Sequence, residues 1–244
     1  MRAMILAAGW GTRLRPLTDD RPKALVEING QTLLAITLGR LKRFGIREVV
    51  INAHHFADKL AEYVSSHDFG MRIEISREEE LLDTGGGLKK VAGFFLAEPE
   101  EPFLLHNVDV LSSIDLDRMI ESHRGRNALA TLAVQRRETT RQLLFDDDLQ
   151  LCGRVSGGEK LEMVRPGAGP QPLAFCGIHV ISPKLFELLT EEGVFSIITS
   201  YVRLAQQGER ILGFRADEYY WRDVGRPDSI RQAADDFRRG VIRG

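Results

Sequence analysis

The chain has 244 residues, of which 43% are hydrophobic and 28% are charged, and its formal net charge is -2. This composition is typical of a globular protein with a full hydrophobic core, and it favours one domain over residues 1–244. The near-zero charge argues against a nucleic-acid-binding protein with a broad basic face. Two cysteines are too few for a disulfide framework, and no apolar stretch has transmembrane length. We therefore expect a cytoplasmic protein with no nucleic-acid or membrane partner.

Strands and helices alternate in the first half of the chain. Buried or alternating apolar runs predict strands at residues 2–6, 48–52, 72–76 and 103–108. Amphipathic patterns predict helices at residues 33–44, 56–65, 87–92 and 116–123. Alternation at these lengths predicts βαβ units around a parallel sheet.

The second half is richer in strands. Residues 128–134 and 173–181 predict strands, and residues 143–155 predict two strands joined by an acidic turn. Helices are predicted at residues 183–189, 195–207 and 226–239, a polar turn at Glu159 and Lys160, a surface loop at residues 165–172 and a frayed basic end at residues 238–244. Together these elements predict a Rossmann-like α/β fold. Its open, mostly parallel central sheet is flanked by helices and carries extra antiparallel strands from the second half.

Two glycines, Gly9 and Gly11, directly follow the first predicted strand. The carboxyl ends of strands are where open α/β sheets bind ligands, and glycine lets backbone N–H groups approach a phosphate closely. Arg13 and Arg15 can each hold phosphate oxygens with several donors. A tight turn with solvated arginines is the alternative. No Walker A string occurs, and Leu14 stands where a dinucleotide fingerprint needs its third glycine.

The whole opening loop is more specific than its glycines. Residues 9–18 read GWGTRLRPLT and residues 22–25 read PKAL. They resemble the signature of sugar-1-phosphate nucleotidyltransferases, G-x-G-T-R-L-x-P-L-T followed by P-K-x-L. The resemblance implies transfer of a nucleoside monophosphate unit from a nucleoside triphosphate to a sugar 1-phosphate, with release of pyrophosphate. It implies catalytic roles for Arg13, Lys23 and Asp109, and nucleotide binding by Ala8, Gly9, Gly11, Thr12 and Arg13.

The same resemblance implies a Mg²⁺ site built from two carboxylates. The string FLLHNVD places Asp109 after a buried strand, and WRDVG places Asp223 late in the chain. Mg²⁺ prefers hard oxygen ligands and commonly takes one or two protein carboxylates. An isolated aspartate after a strand is more often a turn or a helix cap, and the alternative weakens because both carboxylates stand at the family's two places.

A glycine run, LLDTGGGLKK at residues 81–90, resembles the N-acetylmuramate-1-phosphate uridylyltransferase branch of the family. The resemblance implies that Gly85 and Gly86 approach the nucleotide. It favours uridine as the base, with guanine and thymine left open. The alternative is a helix N-terminus capped by Asp83 or Thr84.

The sugar side departs from the family pattern at two places. Val108 stands where the family usually has glycine, which bears on the identity of the sugar more than on the metal. Many relatives contact the sugar through a Glu-Lys-Pro string, which this chain lacks. The remaining candidates for sugar contact are Asn107 and Gly177.

Two other functions compete with the sugar-1-phosphate reaction. A non-catalytic nucleotide-sugar sensor on this fold would be expected to lose Arg13, Lys23 or a metal aspartate, and all are present. A transferase acting on a phospho-alcohol such as phosphocholine stays open. Two acidic groups are interpreted as structural: residues 146–148 as a solvated hairpin tip, and Asp115 with Asp117 as a helix N-terminus. The residues do not indicate an oligomeric state.

Overall fold

The computed structural model describes residues 1–156 and 160–242, which divide into two compact units. The first unit comprises Met1–Leu82, His106–Ile114 and Tyr219–Gly244, and the second comprises Asp83–Leu105 and Asp115–Glu218. The expectation of a single domain stays a prediction. Glu159 of the predicted polar turn and the last two residues of the predicted basic end lie outside the described residues, whereas Lys160 begins a strand instead of a turn.

The elements follow one another along the whole chain. The strands are β1 (Arg2–Leu6), β2 (Glu27–Ile28), β3 (Gln31–Thr32), β4 (Glu48–Ala53), β5 (Arg72–Arg77), β6 (Phe103–Asn107), β7 (Val110–Ser112), β8 (Ala130–Gln135), β9 (Gln142–Phe145), β10 (Leu151–Ser156), β11 (Lys160–Met163), β12 (Gln171–Ile181), β13 (Ile211–Arg215) and β14 (Trp221–Asp223). The helices are α1 (Leu33–Arg43), α2 (Ala57–Ser66), α3 (Asp83–Lys90), α4 (Ala92–Leu96), α5 (Leu116–Gly125), α6 (Leu185–Leu188), α7 (Ile197–Gln206) and α8 (Pro227–Arg238). Within the part of the chain that the structure describes, no helix is long and apolar enough to cross a bilayer.

The first unit is built on the parallel strands β1, β4 and β5. Leu6 pairs with Asn52, and Asn52 pairs in turn with Ser76, so the three strands end at the same edge. Helix α1 begins after Thr32, whose hydroxyl accepts a hydrogen bond from the Ala35 N–H at 3.0 Å. Since β1 ends at Leu6, the glycine loop leaves the sheet at its carboxyl edge, as the sequence predicts.

Two strands of three residues each, β7 and β14, form a separate antiparallel ladder in the first unit. Asp223, at the end of β14, pairs with Val110. Beyond the ladder, the Val224 N–H donates to the Asp109 carbonyl at 2.8 Å. Strands this short carry no readable alternation, so the sequence pattern did not predict them. The ladder fixes the late WRDVG segment beside the turn that carries Asp109.

The second unit contains most of the antiparallel pairs. Strand β12 pairs antiparallel with β8 and β9, β10 pairs antiparallel with β9 and β11, and β13 runs parallel to β8. The rings of Phe95 and Phe103 stack in its core with centroids 3.8 Å apart. The Rossmann-like α/β prediction, with antiparallel strands added by the second half, is therefore confirmed.

The predicted helix cap at Asp115 is confirmed, and residues 146–148 form the predicted hairpin tip, but Asp146 is buried whereas Asp147 and Asp148 are exposed. The carboxylate of Asp115 accepts from the Arg118 N–H at 3.0 Å and caps α5. At the tip between β9 and β10, the Asp146 carboxylate accepts from the N–H groups of Asp148 and Gln150 at 3.1 and 2.8 Å. In both acidic groups, a carboxylate therefore accepts hydrogen bonds from backbone N–H groups.

The glycine run was predicted wrongly. The sequence predicts a helix from residue 87 with the glycines in a loop before it, whereas α3 begins at Asp83 and includes all three glycines. At the start of the helix the Asp83 carboxylate accepts from the Thr84 N–H at 2.5 Å. Glycine has low helix propensity, but tertiary packing routinely overrides propensity. Here the three glycines are buried, and Gly85 packs so closely against Phe195 that there is no room for a side chain.

Candidate active site

Most of the residues that the sequence predicts for the site lie in the first unit. They are Ala8, Gly9, Gly11, Thr12, Arg13, Lys23, Asn107, Asp109 and Asp223. The other three, Gly85, Gly86 and Gly177, lie in the second unit.

The loop after β1 is shaped by glycine and anchored by one apolar side chain. Gly11 has a positive φ of 67°, and a Cβ there would lie 3.0 Å from Thr18 Cγ2, so both conformation and space favour glycine. The Thr18 hydroxyl donates to the Gly11 carbonyl at 2.9 Å. Leu14 is fully buried while Arg13 is exposed. Leu14 thus anchors the loop in the core, while the Arg13 side chain is exposed to solvent.

Lys23 and Asp109 form a largely buried ion pair. Lys23 Nζ lies 2.9 Å from Asp109 Oδ2, and the two side chains are 15% and 10% exposed. Burial by itself would raise the pKa of Asp109, but the charge and hydrogen bond of Lys23, together with the charge of Arg13, lower it. A Cβ on Gly9 would lie 3.8 Å from Lys23 Nζ, so the ammonium group sits beside the loop.

Arg13 and Asp223 meet at Gly225. The Gly225 N–H donates to Asp223 Oδ1 at 2.6 Å. A Cβ on Gly225 would lie 2.8 Å from Arg13 Nη2 and 2.7 Å from Asp223 Oδ1, so a side chain at this position would displace the guanidinium or the carboxylate. Val224, the residue before Gly225, donates to the Asp109 carbonyl. Both predicted cations and both predicted metal aspartates therefore lie in one region of the first unit.

The two carboxylates fit the requirements of a magnesium ion. Asp109 and Asp223 offer hard oxygen donors, and Mg²⁺ completes its shell with water and substrate phosphates. Within residues 1–156 and 160–242, no group of three or more His, Cys, Asp or Glu side chains could hold a metal. A two-carboxylate site of the kind that Mg²⁺ shares with substrate phosphates stays a prediction.

The end of β6 is supported by His106 and Arg40, two buried residues that the sequence analysis did not single out. His106 Nδ1 donates to the Asn107 carbonyl at 2.8 Å, and its Nε2 lies 3.3 Å from Arg40 Nη1. Burial, reinforced by the charge of Arg40, lowers the pKa of His106 to about 3, so the ring accepts from Arg40 as a neutral imidazole.

Val108 is fully buried and its N–H donates to the Leu6 carbonyl at 3.2 Å. The Val108 side chain therefore belongs to the core.

The glycines of α3 are tied to the segment before α7. The N–H groups of Gly85 and Gly86 donate to the Phe195 carbonyl at 2.9 and 3.3 Å. The Thr84 hydroxyl accepts from the Ile197 N–H at 3.0 Å. These contacts explain the glycines by close packing, and the nucleotide-binding role of Gly85 and Gly86 stays a prediction.

Gly177 lies in an irregular part of β12. It has a positive φ of 73°, and the register between β12 and β8 shifts between Phe175 and His179. A positive φ at a bulge favours glycine. The structure thus gives Gly177 a backbone role, and its predicted contact with the sugar stays a prediction, as does that of Asn107.

Comparisons with known proteins agree on one family. A family model described as nucleotidyl transferase matches residues 2–143. The chain is 32% identical over 237 residues to the N-acetylmuramate alpha-1-phosphate uridylyltransferase of Caulobacter vibrioides, with 93% of each chain covered. It is 32% identical over 251 residues to the mannose-1-phosphate guanylyltransferase of Mycobacterium tuberculosis, a match that covers 98% of this chain and 65% of the relative.

A solved structure shows the same fold. The crystal structure of HddC from Yersinia pseudotuberculosis, complexed with GMP-PN, matches with a TM-score of 0.77 and 22% sequence identity. The match covers 97% of this chain and 99% of that chain.

Replacing Lys23 with Met is expected to lower the free energy of unfolding by about 3 kcal/mol, because Asp109 would stay buried without its partner. The double variant Lys23→Met/Asp109→Asn should recover most of this loss. Arg15, whose pair with Asp19 is 65% and 58% exposed, is the control. Arg15→Met should change stability by less than about 1 kcal/mol. Urea unfolding at neutral pH measures all three variants, and equal losses for Lys23→Met and Arg15→Met would contradict the prediction.

Replacing Gly85 with Ala is expected to lower the free energy of unfolding by about 1–3 kcal/mol through overpacking. The new Cβ would collide with the Phe195 ring and lie 2.9 Å from the Phe195 carbonyl oxygen. Gly93, in α4, has no heavy atom within 4 Å of the corresponding position. Gly93→Ala should therefore stabilise by up to about 1 kcal/mol. Thermal unfolding distinguishes the two, and a neutral Gly85→Ala would show that the packing argument is wrong.

Proposed function

The chain belongs to the nucleotidyl transferase family, and we propose that, as a sugar-1-phosphate nucleotidyltransferase, it takes its nucleotide from UTP. The observation that carries the mechanism is the buried Lys23–Asp109 pair beside the glycine loop, with Arg13 and Asp223 converging on Gly225. This arrangement combines phosphate-binding cations with metal-binding carboxylates in one region.

The reaction joins two anions. A phosphate oxygen of the sugar 1-phosphate attacks the α-phosphorus of UTP, the bond from that phosphorus to the bridging oxygen breaks, and pyrophosphate leaves. Reactions of this kind depend mainly on positioning and electrostatic stabilisation, without a protein nucleophile. Arg13 offers several donors in a rigid fork, whereas Lys23 offers a compact charge. The two side chains therefore suit the triphosphate and the reacting phosphate, respectively.

The contact of Lys23 with Asp109 is one that the ammonium group can exchange for a phosphate oxygen. Its ammonium group is held by Asp109 next to the loop in which Gly9 and Gly11 leave the backbone open to phosphate. We infer that the ammonium moves from the carboxylate toward an α-phosphate oxygen when the nucleotide binds. Asp109 and Asp223 would then hold Mg²⁺, which when bound neutralises phosphate charge and orients the reacting groups.

Two observations support uridine and a hexose-type sugar. The uridylyltransferase of Caulobacter vibrioides matches over 93% of both chains, whereas the guanylyltransferase of equal identity is matched over 65% of its length. The sequence of residues 84–87, TGGG, also resembles the motif of the uridylyltransferase branch. We propose glucose, N-acetylglucosamine or N-acetylmuramate 1-phosphate as the acceptor, with Asn107 and Gly177 as candidate sugar contacts.

Pyrophosphate release identifies the substrates. The protein is incubated with Mg²⁺, each of the four ribonucleoside triphosphates or dTTP, and a panel of sugar 1-phosphates. UTP is expected to give the highest rate, with one of the three proposed sugars. A clear preference for GTP with mannose 1-phosphate would overturn the base but retain the mechanism. If no combination in the panel releases pyrophosphate, the result would contradict the proposed reaction and favour a phosphocholine-type substrate or a sensor.

Asp109→Asn and Asp223→Asn are each expected to lower kcat by about a hundredfold or more, because Mg²⁺ would lose a charged ligand. Circular dichroism checks that each variant is folded. Asp117, an exposed carboxylate in the first turn of α5, is the control. Asp117→Asn should leave the rate unchanged. Near-normal rates in both site variants, with Mg²⁺ still required, would refute the two-carboxylate assignment.

A further inference from the structure

Glu78 is a buried carboxylate that none of the sequence motifs explains. It directly follows β5 and is only 5% exposed. We propose that Glu78, acting through Asn52, is a positioning residue that holds the phosphate-binding loop in place. The inference rests on the proposed function, because it takes the loop of Gly9 to Arg13 as the nucleotide site.

Three hydrogen bonds form a continuous network. The Ala7 N–H donates to Asn52 Oδ1 at 2.7 Å, and Asn52 Nδ2 donates to Glu78 Oε1 at 2.7 Å. The other carboxylate oxygen, Glu78 Oε2, accepts from the Leu82 N–H at 3.0 Å. Backbone donors therefore stand at both ends, and each of the three hydrogen bonds joins an N–H donor to an oxygen acceptor.

The network begins where the sheet stops holding the chain. Leu6 is the last residue of β1 and pairs with Asn52 in the parallel ladder. Ala7 is the next residue, is buried, and lies two positions before Gly9. A buried N–H without a partner is costly, so the Asn52 side chain fixes the chain one residue beyond the ladder. This is the point from which the loop departs.

A second set of contacts links Glu78 to the loop itself. The Glu78 N–H donates to the Ala53 carbonyl at 2.7 Å, and the Glu78 carbonyl accepts from His54 Nδ1 at 2.9 Å. The His54 ring meets the Trp10 ring edge to face, with centroids 5.0 Å apart. Trp10 is the residue between the two loop glycines. The loop is therefore braced at its base through Asn52 and at its tip through His54, both from Glu78.

The order of donors and acceptors gives the network a distinctive test. With Glu78→Gln, two amides stand between two backbone donors, so one donor must face another in every side-chain orientation. With Asn52→Asp, two carboxylates face each other. The double variant Asn52→Asp/Glu78→Gln restores every bond with the central donor reversed. The carboxylate introduced at position 52 then accepts from the Ala7 N–H and from the amide introduced at position 78, whose oxygen accepts from the Leu82 N–H.

The experiment compares wild type, both single variants and the double variant. Glu79→Gln, at an exposed neighbouring carboxylate, is the matched control. Pyrophosphate release gives kcat and the KM for UTP below the melting temperature of every variant. Each single variant is expected to raise the KM for UTP about tenfold or more, with a smaller change in kcat, as expected for an unsatisfied buried group at the loop. The double variant should return to within about threefold of wild type, and Glu79→Gln should match wild type.

Four outcomes would overturn the inference. If the single variants lower only the melting temperature and leave KM and kcat unchanged, Glu78 is structural alone. If the single variants are impaired and the double variant is not rescued, donor and acceptor matching does not position the loop. A wild type that is inactive across the substrate panel refutes the proposed function, and this inference with it. An active wild type with a normal Glu78→Gln variant refutes this inference alone.

Discussion

The buried ion pair between Lys23 and Asp109 is the interaction on which the candidate site depends. Taking a charge out of water is costly unless a partner compensates it, and a buried pair is often no more stabilising than apolar side chains of the same volume. The pair is therefore poorly explained by stability alone. It does place an ammonium group 3.8 Å from the position of a Cβ on Gly9, beside the loop that Gly11 shapes. The phosphate-binding role that we propose would account for charge in that place.

Asp109 can serve this site because short backbone contacts bring the end of the chain to it. The β7–β14 ladder holds Asp223 beside the turn that carries Asp109, and Val224 donates to the Asp109 carbonyl. Gly225 then leaves room for the Arg13 guanidinium. Each contact involves backbone or a missing side chain, so geometry, more than residue chemistry, assembles the carboxylates and cations.

Local signals in the sequence predicted part of the fold and part of the site. A buried apolar run followed by glycines marks the end of β1, and both aspartates predicted to bind metal stand in recognisable strings. Glu78 could not be found this way, because its burial follows from the pairing of β4 with β5 and from the reach of Asn52. The helical state of the glycine run was missed for a similar reason. Its cause is the packing of Gly85 against Phe195, which lies far along the chain.

Two kinds of buried polar group thus support the loop in different ways. Both oxygens of Glu78 have partners, and Asn52 bonds through both ends of its amide, so this network resists movement. Lys23, by contrast, has three donors and one carboxylate partner among the described contacts. A network in which both ends of the amide and both carboxylate oxygens are bonded suits a support whose position must not change. A cation with more donors than described partners fits our proposal that Lys23 takes a phosphate oxygen as a new partner when the nucleotide binds.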